Sequence, residues 1–398
     1  MTLRRVSLAA GLGLALVAAG CHQDELFRPV VSPYAGGALF ERYVAMGNSI
    51  TAGFQSGGID SLVQVVAYPV LVAAQMGGAP FYSPILRSPG CPPAYTNIFT
   101  GARVGGLPAT FCAFRSPAIP RYLSNVAVPG AKTIDLMQNL GAGTSANALT
   151  QLMLGGRTQL EAMAAARPTF VSVWIGNNDV LGAATDPVNG GDTTKVTAQP
   201  AFAAEYTPIL DSIKAVGAQA ILIGVANVTA IPFLSKGTTY FGAKLAGALP
   251  AALTVAATCA PPRGDSVLVP FPFGGALVAA AAAGQPRTLD CTETQTIQPA
   301  EFVRLKAAVT GYNTLISTEA TARNWAYLDP NPTLDSLRTV TGQVAALPTF
   351  GAACSTNPFG AAFSCDGVHP STATHKLIAR KVVQVINAKY GSAIPAIP

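Results

Sequence analysis

The chain has 398 residues, half of them hydrophobic and only 11% charged. That composition excludes a disordered or fibrous protein and accommodates one large α/β domain with elaborations, or two ordinary domains. The formal charge of +6 is carried by Lys and Arg scattered singly, which excludes a nucleic-acid groove, since such a groove needs a dense basic stripe.

At the N-terminus, Arg4 and Arg5 precede an apolar stretch, residues 6–19, shorter than the roughly 20 residues that span a bilayer. It ends in Val17-Ala18-Ala19-Gly20-Cys21. This resembles the lipobox of bacterial lipoproteins. The resemblance implies that residues 1–20 are a signal peptide and that Cys21 becomes the lipid-bearing first residue of an exported protein, anchored in the cell envelope. An ordinary secretory signal with an incidental cysteine is the alternative. His22 stands where aspartate would mark inner-membrane retention, so the same resemblance implies the outer membrane. Residues 21–40, with Pro29, Pro33, Gly36 and Gly37, read as a tether.

The expected domain spans 41–390, with 391–398 as a tail. Residues 43–46 read as a buried strand running into Gly47-Asn48-Ser49. An apolar helix follows over 61–76, with Pro69 expected to kink it. Residues 85–120, rich in Pro, Gly and Cys, read as an elaborated loop. Residues 125–128 and 170–175 are expected strands, with a helix over 148–166 between them. A helix over 201–216, a strand over 220–225, a helix over 300–322, a strand over 325–329 and a last helix over 371–389 complete the pattern. Short apolar strands alternating with helices predict a parallel sheet covered on both faces, with the active site at the carboxyl ends of the strands. Residues 236–298 break this rhythm and read as an inserted subdomain or lid.

Setting Cys21 aside, six cysteines remain, an even number in an expected exported chain. They fall into three local couples in Pro/Gly-rich segments, so the expected disulfides are Cys91–Cys112, Cys259–Cys291 and Cys354–Cys365. With three histidines and no Cys-x-x-Cys, neither a metal nor another cofactor is expected.

Four short motifs carry the chemistry: GNSITAG (47–53), NVAVPG (125–130), GNND (176–179) and DGVH (366–369). Each is weak alone. Together, in this order and at expected strand ends, they resemble the blocks of the GDSL, or SGNH, hydrolase superfamily over about 44–230 and 300–390. The resemblance implies a flavodoxin-like three-layer α/β sandwich and a serine esterase or lipase. It implies Ser49 as nucleophile, His369 as base and Asp366 as the carboxylate that orients it. It also implies an oxyanion hole made by the N–H of Ser49, the N–H of Gly130 and the side chain of Asn178. The residues themselves agree with those roles. A serine needs a base to accept its proton, and an aspartate three residues before a histidine can hold the imidazole's Nδ1–H and leave Nε2 free. The plainer readings are a helix N-cap serine, a turn glycine, a turn asparagine and an Asp-Gly turn beside an incidental histidine. His375 reads as a surface or packing residue, and Asp179 as a brace.

Two departures from the family pattern stand out. Asn48-Ser49-Ile50 replaces Asp-Ser-Leu, and Ala226-Asn227-Val228 lacks the usual aspartate of the fourth block. The expected substrate is a carboxylic ester of a lipid or small alcohol. A polysaccharide O-acetyl esterase, or a surface lipoprotein that binds glycan on a retired scaffold, is the alternative.

Overall fold

In the computed structural model, residues 36–116, 120–140 and 143–398 are described. The signal peptide, Cys21, His22 and most of the tether lie outside them.

Four parallel strands form the central sheet: β1 (Tyr43–Gly47), β2 (Phe170–Trp174), β3 (Gln219–Ile223) and β4 (Ala326–Leu328), side by side in that order. Every residue of β1 is buried, which a strand covered on both faces requires. Its side chains alternate. Val44 and Met46 enter the larger core with Val171, Val173 and Leu222, while Tyr43 and Ala45 enter a second core with Phe170, Trp174 and Ile221.

Helices cover each face. On the larger side lie α4 (Gln159–Ala166), α6 (Gln199–Ala215) and α7 (Pro299–Ala322), contributing Met163, Phe202 and Tyr312. On the other side α2 (Tyr68–Met76) packs against α9 (Thr372–Tyr390) through Val72, Val382 and Ile386. This is the expected three-layer sandwich. The short helices α1 (Ser49–Ala52) and α5 (Asn178–Ala184) begin directly beyond β1 and β2.

Several elements differ from expectation for local reasons. Residues 125–128 lie beside β1 without becoming a regular strand. Val126 N–H donates to the Ala45 carbonyl at 2.9 Å, but Asn125 Oδ1 takes the Ala127 N–H at 3.2 Å and its Nδ2 reaches Thr51 O at 2.9 Å. An asparagine that bonds its own backbone two residues on interrupts a ladder. The segment expected as a helix over 61–76 is two pieces, 61–64 and α2, and Pro69 sits in the first turn of α2, where its missing N–H costs nothing. The one over 148–166 is also two, α3 (Ala148–Leu154) and α4, parted at Gly155-Gly156. The helix α8 (Asn331–Thr339) had no counterpart in the sequence reading.

Residues 236–298 gather around their own small core. Tyr240, Leu253, Val269 and Leu289 pack about the Cys259–Cys291 disulfide. The unit is tied to the sandwich at its base. Leu234 pairs antiparallel with Pro270, and Phe271 N–H donates to the Phe233 carbonyl at 2.9 Å. At the domain limits, Phe40 is already buried against Phe170, with ring centroids 5.1 Å apart. Ile394 and Ile397 of the expected tail are buried too, held by Asn387 and Arg380 of α9.

Candidate active site

Gly47 ends β1 with φ of 154°, and a Cβ there would lie 2.4 Å from the Trp174 carbonyl, so β1 can approach β2 this closely only as glycine. The chain then turns into α1. Asn48, not Ser49, is the N-cap: its Oδ1 accepts the Ile50 N–H at 3.1 Å. That leaves the hydroxyl of Ser49, the first helical residue, free to point elsewhere. It lies 2.8 Å from His369 Nε2.

His369 Nδ1 is in turn 2.8 Å from Asp366 Oδ2. The carboxylate is densely solvated by the protein. Oδ1 accepts the backbone N–H groups of Val368 and His369, both at 2.9 Å, and the Ser364 hydroxyl at 3.1 Å. Burial alone would raise the pKa of Asp366. The His369 charge and these hydrogen bonds overcome it and hold the carboxyl down to about 2. Asp366 is therefore ionised at neutral pH.

Two further segments converge on Ser49. Gly130 closes the strand-like 125–128 segment with φ of 86°, and Asn178 opens α5. Asn178 Nδ2 donates one hydrogen to the Ala131 carbonyl at 2.8 Å, which ties the two segments together and leaves its second amide hydrogen uncommitted. Asp179 strengthens the tie. Its Oδ2 accepts both the N–H and the hydroxyl of Thr133 at 2.9 Å, and its Oδ1 the Thr197 hydroxyl at 2.9 Å. Burial pushes the Asp179 carboxyl up, and the bonds from Thr133 and Thr197 oppose that push. On the far side of Gly130, Ser145 Oγ–H reaches the Gly130 carbonyl at 3.1 Å and Asn147 Nδ2 the Pro129 carbonyl at 3.0 Å.

A cavity of about 100 Å³ opens beside Ser49 and is lined by Asn48, Asn177, Asn178 and His369 together with side chains beyond β3 and β4. None of its lining residues comes from 236–298; α8 supplies Thr333, Leu334 and Leu337 to its wall. Residues 236–298 instead reach the loop that carries the histidine through Phe271, which packs on Phe233 just before them. Phe233 N–H donates to the Gly367 carbonyl at 2.9 Å, and Phe271 stacks edge-on with Phe233 and Phe359.

Residues 43–382 match the sequence profile of the GDSL-like lipase/acylhydrolase family. The chain belongs to this family. As a GDSL-like acylhydrolase it is a serine ester hydrolase with the α/β fold described above. No curated protein matches the sequence. Among solved structures it is similar to Axe2, an acetylxylan esterase from Geobacillus stearothermophilus, at 15% identity over 90% of this chain and 96% of that one, with a TM-score of 0.39. It is also similar to TesA, at 12% identity over 87% and 99% of the two chains, with a TM-score of 0.33.

Of the five residues singled out in the sequence, Ser49, His369 and Asp366 are joined by hydrogen bonds, Asn178 lines the same cavity, and Gly130 adjoins Ala131, to which Asn178 is hydrogen-bonded. His375 lies apart, fully buried in α9, with its Nδ1 accepting the Tyr68 N–H at 3.3 Å. Burial, and then the neighbouring His369 charge, push its pKa down to about 3. Sequence reasoning missed Ser364; Gly57, whose N–H donates to Asp366 Oδ2; and, behind Gly130, Ser145, whose N–H donates to Asp135 Oδ1 at 2.7 Å. None of them stands in a periodic or motif context. For α8 a signal did exist: Pro332 at the first turn, then Leu334 and Leu337 at helical spacing. The three expected disulfides, Cys91–Cys112, Cys259–Cys291 and Cys354–Cys365, are all formed.

Proposed function

We propose that Ser49, His369 and Asp366 are the catalytic triad of this hydrolase. The carrying observation is the continuous line from Asp366 Oδ2 through the imidazole to Ser49 Oγ, with both contacts at 2.8 Å. Ser49 Oγ attacks the ester carbonyl carbon while its proton passes to His369 Nε2. Asp366 holds the tautomer and stabilises the imidazolium. The developing oxyanion meets the N–H groups of Ser49 and Gly130 and the free amide hydrogen of Asn178. As the carbon–oxygen bond breaks, His369 returns the proton to the departing alcohol, leaving an acyl-serine. Water, deprotonated by the same histidine, then releases the acid. A fluorophosphonate probe tests the assignment: it should label wild-type protein once and Ser49→Ala not at all. Labelling that survives in Ser49→Ala overturns it.

We read the remaining organisation from the sequence. Residues 1–20 are a lipoprotein signal, Cys21 carries the lipid, the following residues tether the domain, and the enzyme is exported and anchored in the outer membrane. Residues 236–298 are an inserted subdomain; the packing of Phe271 on Phe233, whose N–H bonds the Gly367 carbonyl, supports a role in bracing the histidine loop. In detergent phase partition, full-length protein expressed in a diderm host should enter the detergent phase and Cys21→Ala should stay in the aqueous phase. Aqueous partition of both would rule out the anchor.

A further inference from the structure

The cavity beside Ser49 does not stop at the catalytic residues. Its lining follows the carboxyl ends of all four strands in their order across the sheet: Ser49 beyond β1, Asn178 beyond β2, Val228 beyond β3 and Leu328 at the end of β4. Three strand spacings make this a run of about 14 Å. The cavity, of about 100 Å³, is thus a slot elongated along that line.

Polarity changes along the slot. At the Ser49 end stand His369 and three asparagines, and two side-chain atoms there, Asn48 Nδ2 and Asn177 Oδ1, are buried without a protein partner. Further along, the wall is mainly Val228, Ile231, Leu328, Leu334, Leu337 and, from α9, Ile378, with Thr374 and Lys381 of α9 also at its edge; no aspartate or glutamate lines the slot. The wall helix α8 presents only Thr333, Leu334 and Leu337 to it; Asp335 and Arg338 lie on other faces. At its start α8 is fixed by Asn331, whose Oδ1 accepts the Asn227 N–H at 2.7 Å and whose Nδ2 reaches the Val225 carbonyl at 3.1 Å.

We propose that this slot binds the acyl chain of the substrate, that the preferred acyl group is an unbranched aliphatic chain of medium length, and that Leu334 and Leu337 of α8 set its length. The inference rests on the reading of Ser49 as nucleophile, which places the ester carbonyl at the polar end. An acyl chain then leaves polar contacts at the carbonyl and meets mostly apolar side chains beyond it. Each methylene buried in such a slot adds about fourfold to affinity until the slot is full.

The test uses p-nitrophenyl esters from acetate to dodecanoate with the purified full chain. In wild-type protein kcat/KM should rise at least tenfold from acetate to octanoate and level off by decanoate. Leu337→Trp, at a half-exposed position, should lower the octanoate-to-acetate ratio at least tenfold; Leu334→Ala with Leu337→Ala should move the optimum to longer chains. A wild-type optimum at acetate, or a ratio that Leu337→Trp leaves unchanged, overturns the proposal. Calorimetric titration of Ser49→Ala with octanoate separates this from failure of the catalytic reading. Binding weakened at least tenfold by Leu337→Trp sustains the slot whatever the nucleophile, and no octanoate binding counts against it.

Discussion

The backbone N–H of Gly57 donates to Oδ2 of Asp366 at 2.8 Å, across 309 residues of chain. This is the same oxygen that faces His369 Nδ1. The turn after the nucleophile helix and the loop carrying the histidine are thus one hydrogen-bonded unit. Ser56 N–H donates to Ser364 Oγ at 2.8 Å, and Cys365 N–H donates to Ser56 Oγ at 3.1 Å. Distance between Ser49 and His369 is set by this clamp more than by either loop alone.

Loosening the clamp should therefore slow chemistry without weakening substrate binding. Ser56 has φ of 52°, so glycine is the replacement that removes the hydroxyl without straining the backbone. Displacing a catalytic group by about 1 Å costs on the order of 10²-fold in rate. Ser56→Gly removes one of several contacts and should lower kcat about tenfold with KM little changed. Steady-state kinetics would check this; an unaltered kcat means the clamp does not position the triad.

The oxyanion assignment makes a sharper demand. Asn178→Ala should reduce kcat by about 10²–10³-fold with KM little changed, because the bond strengthens as charge develops. If KM rises instead at constant kcat, Asn178 binds the ground state and the donor must be sought elsewhere.

The Cys354–Cys365 disulfide closes a short loop, 11 residues in separation, that ends directly before Asp366. Such closure is worth about 3 kcal/mol in the chain-entropy model. Cys365 is also a member of the clamp, so the disulfide and Ser56 restrain the same backbone. Replacing both cysteines with serine should lower kcat in a protein that circular dichroism shows as folded. Combined with Ser56→Gly, the loss should differ from the product of the separate losses. Strict multiplicativity in that cycle would show the two restraints to be independent.

Acid stability should be limited first by His375. Its folded pKa is about 3 against an unfolded value near 6.5, so between those limits the unfolded chain binds more protons. The stability that the buried neutral ring confers is complete above about pH 6.5 and drains as pH falls toward 3. Asp366, held to about 2, loses its contribution lower, from about pH 4 downward. His375→Asn keeps an acceptor for the Tyr68 N–H and should flatten the fall of Tm between pH 6.5 and 4. A Tm profile identical to that of wild type would remove His375 from the account.

Much of the molecule was legible from short-range pattern. The strands at 43–47, 170–174 and 219–223 announce themselves as short apolar runs, and the cysteine couples are close enough in sequence to pair locally. The chemistry-bearing residues were legible for a related reason. A nucleophile at a strand end, a glycine turn and an aspartate three residues before a histidine are each compact motifs, and their order along the chain matches a family. What pattern misjudged was where elements break: Gly155-Gly156 and Asn125 override an otherwise helical or extended stretch through one backbone conformation or one side-chain hydrogen bond.

Chain order and local composition were thus enough for the fold class, the candidate residues of the site and the cysteine pairs, because periodicity, turn chemistry and motif spacing are properties of neighbours. The contact of Gly57 with Asp366, the docking of 236–298 behind the histidine loop and the closing of the slot by α8 arose only in three dimensions. Each joins segments scores to hundreds of residues apart whose meeting depends on how the sheet and its helices pack. Packing of that kind is nearly indifferent to the local sequence on either side, so it leaves no period and no motif to read.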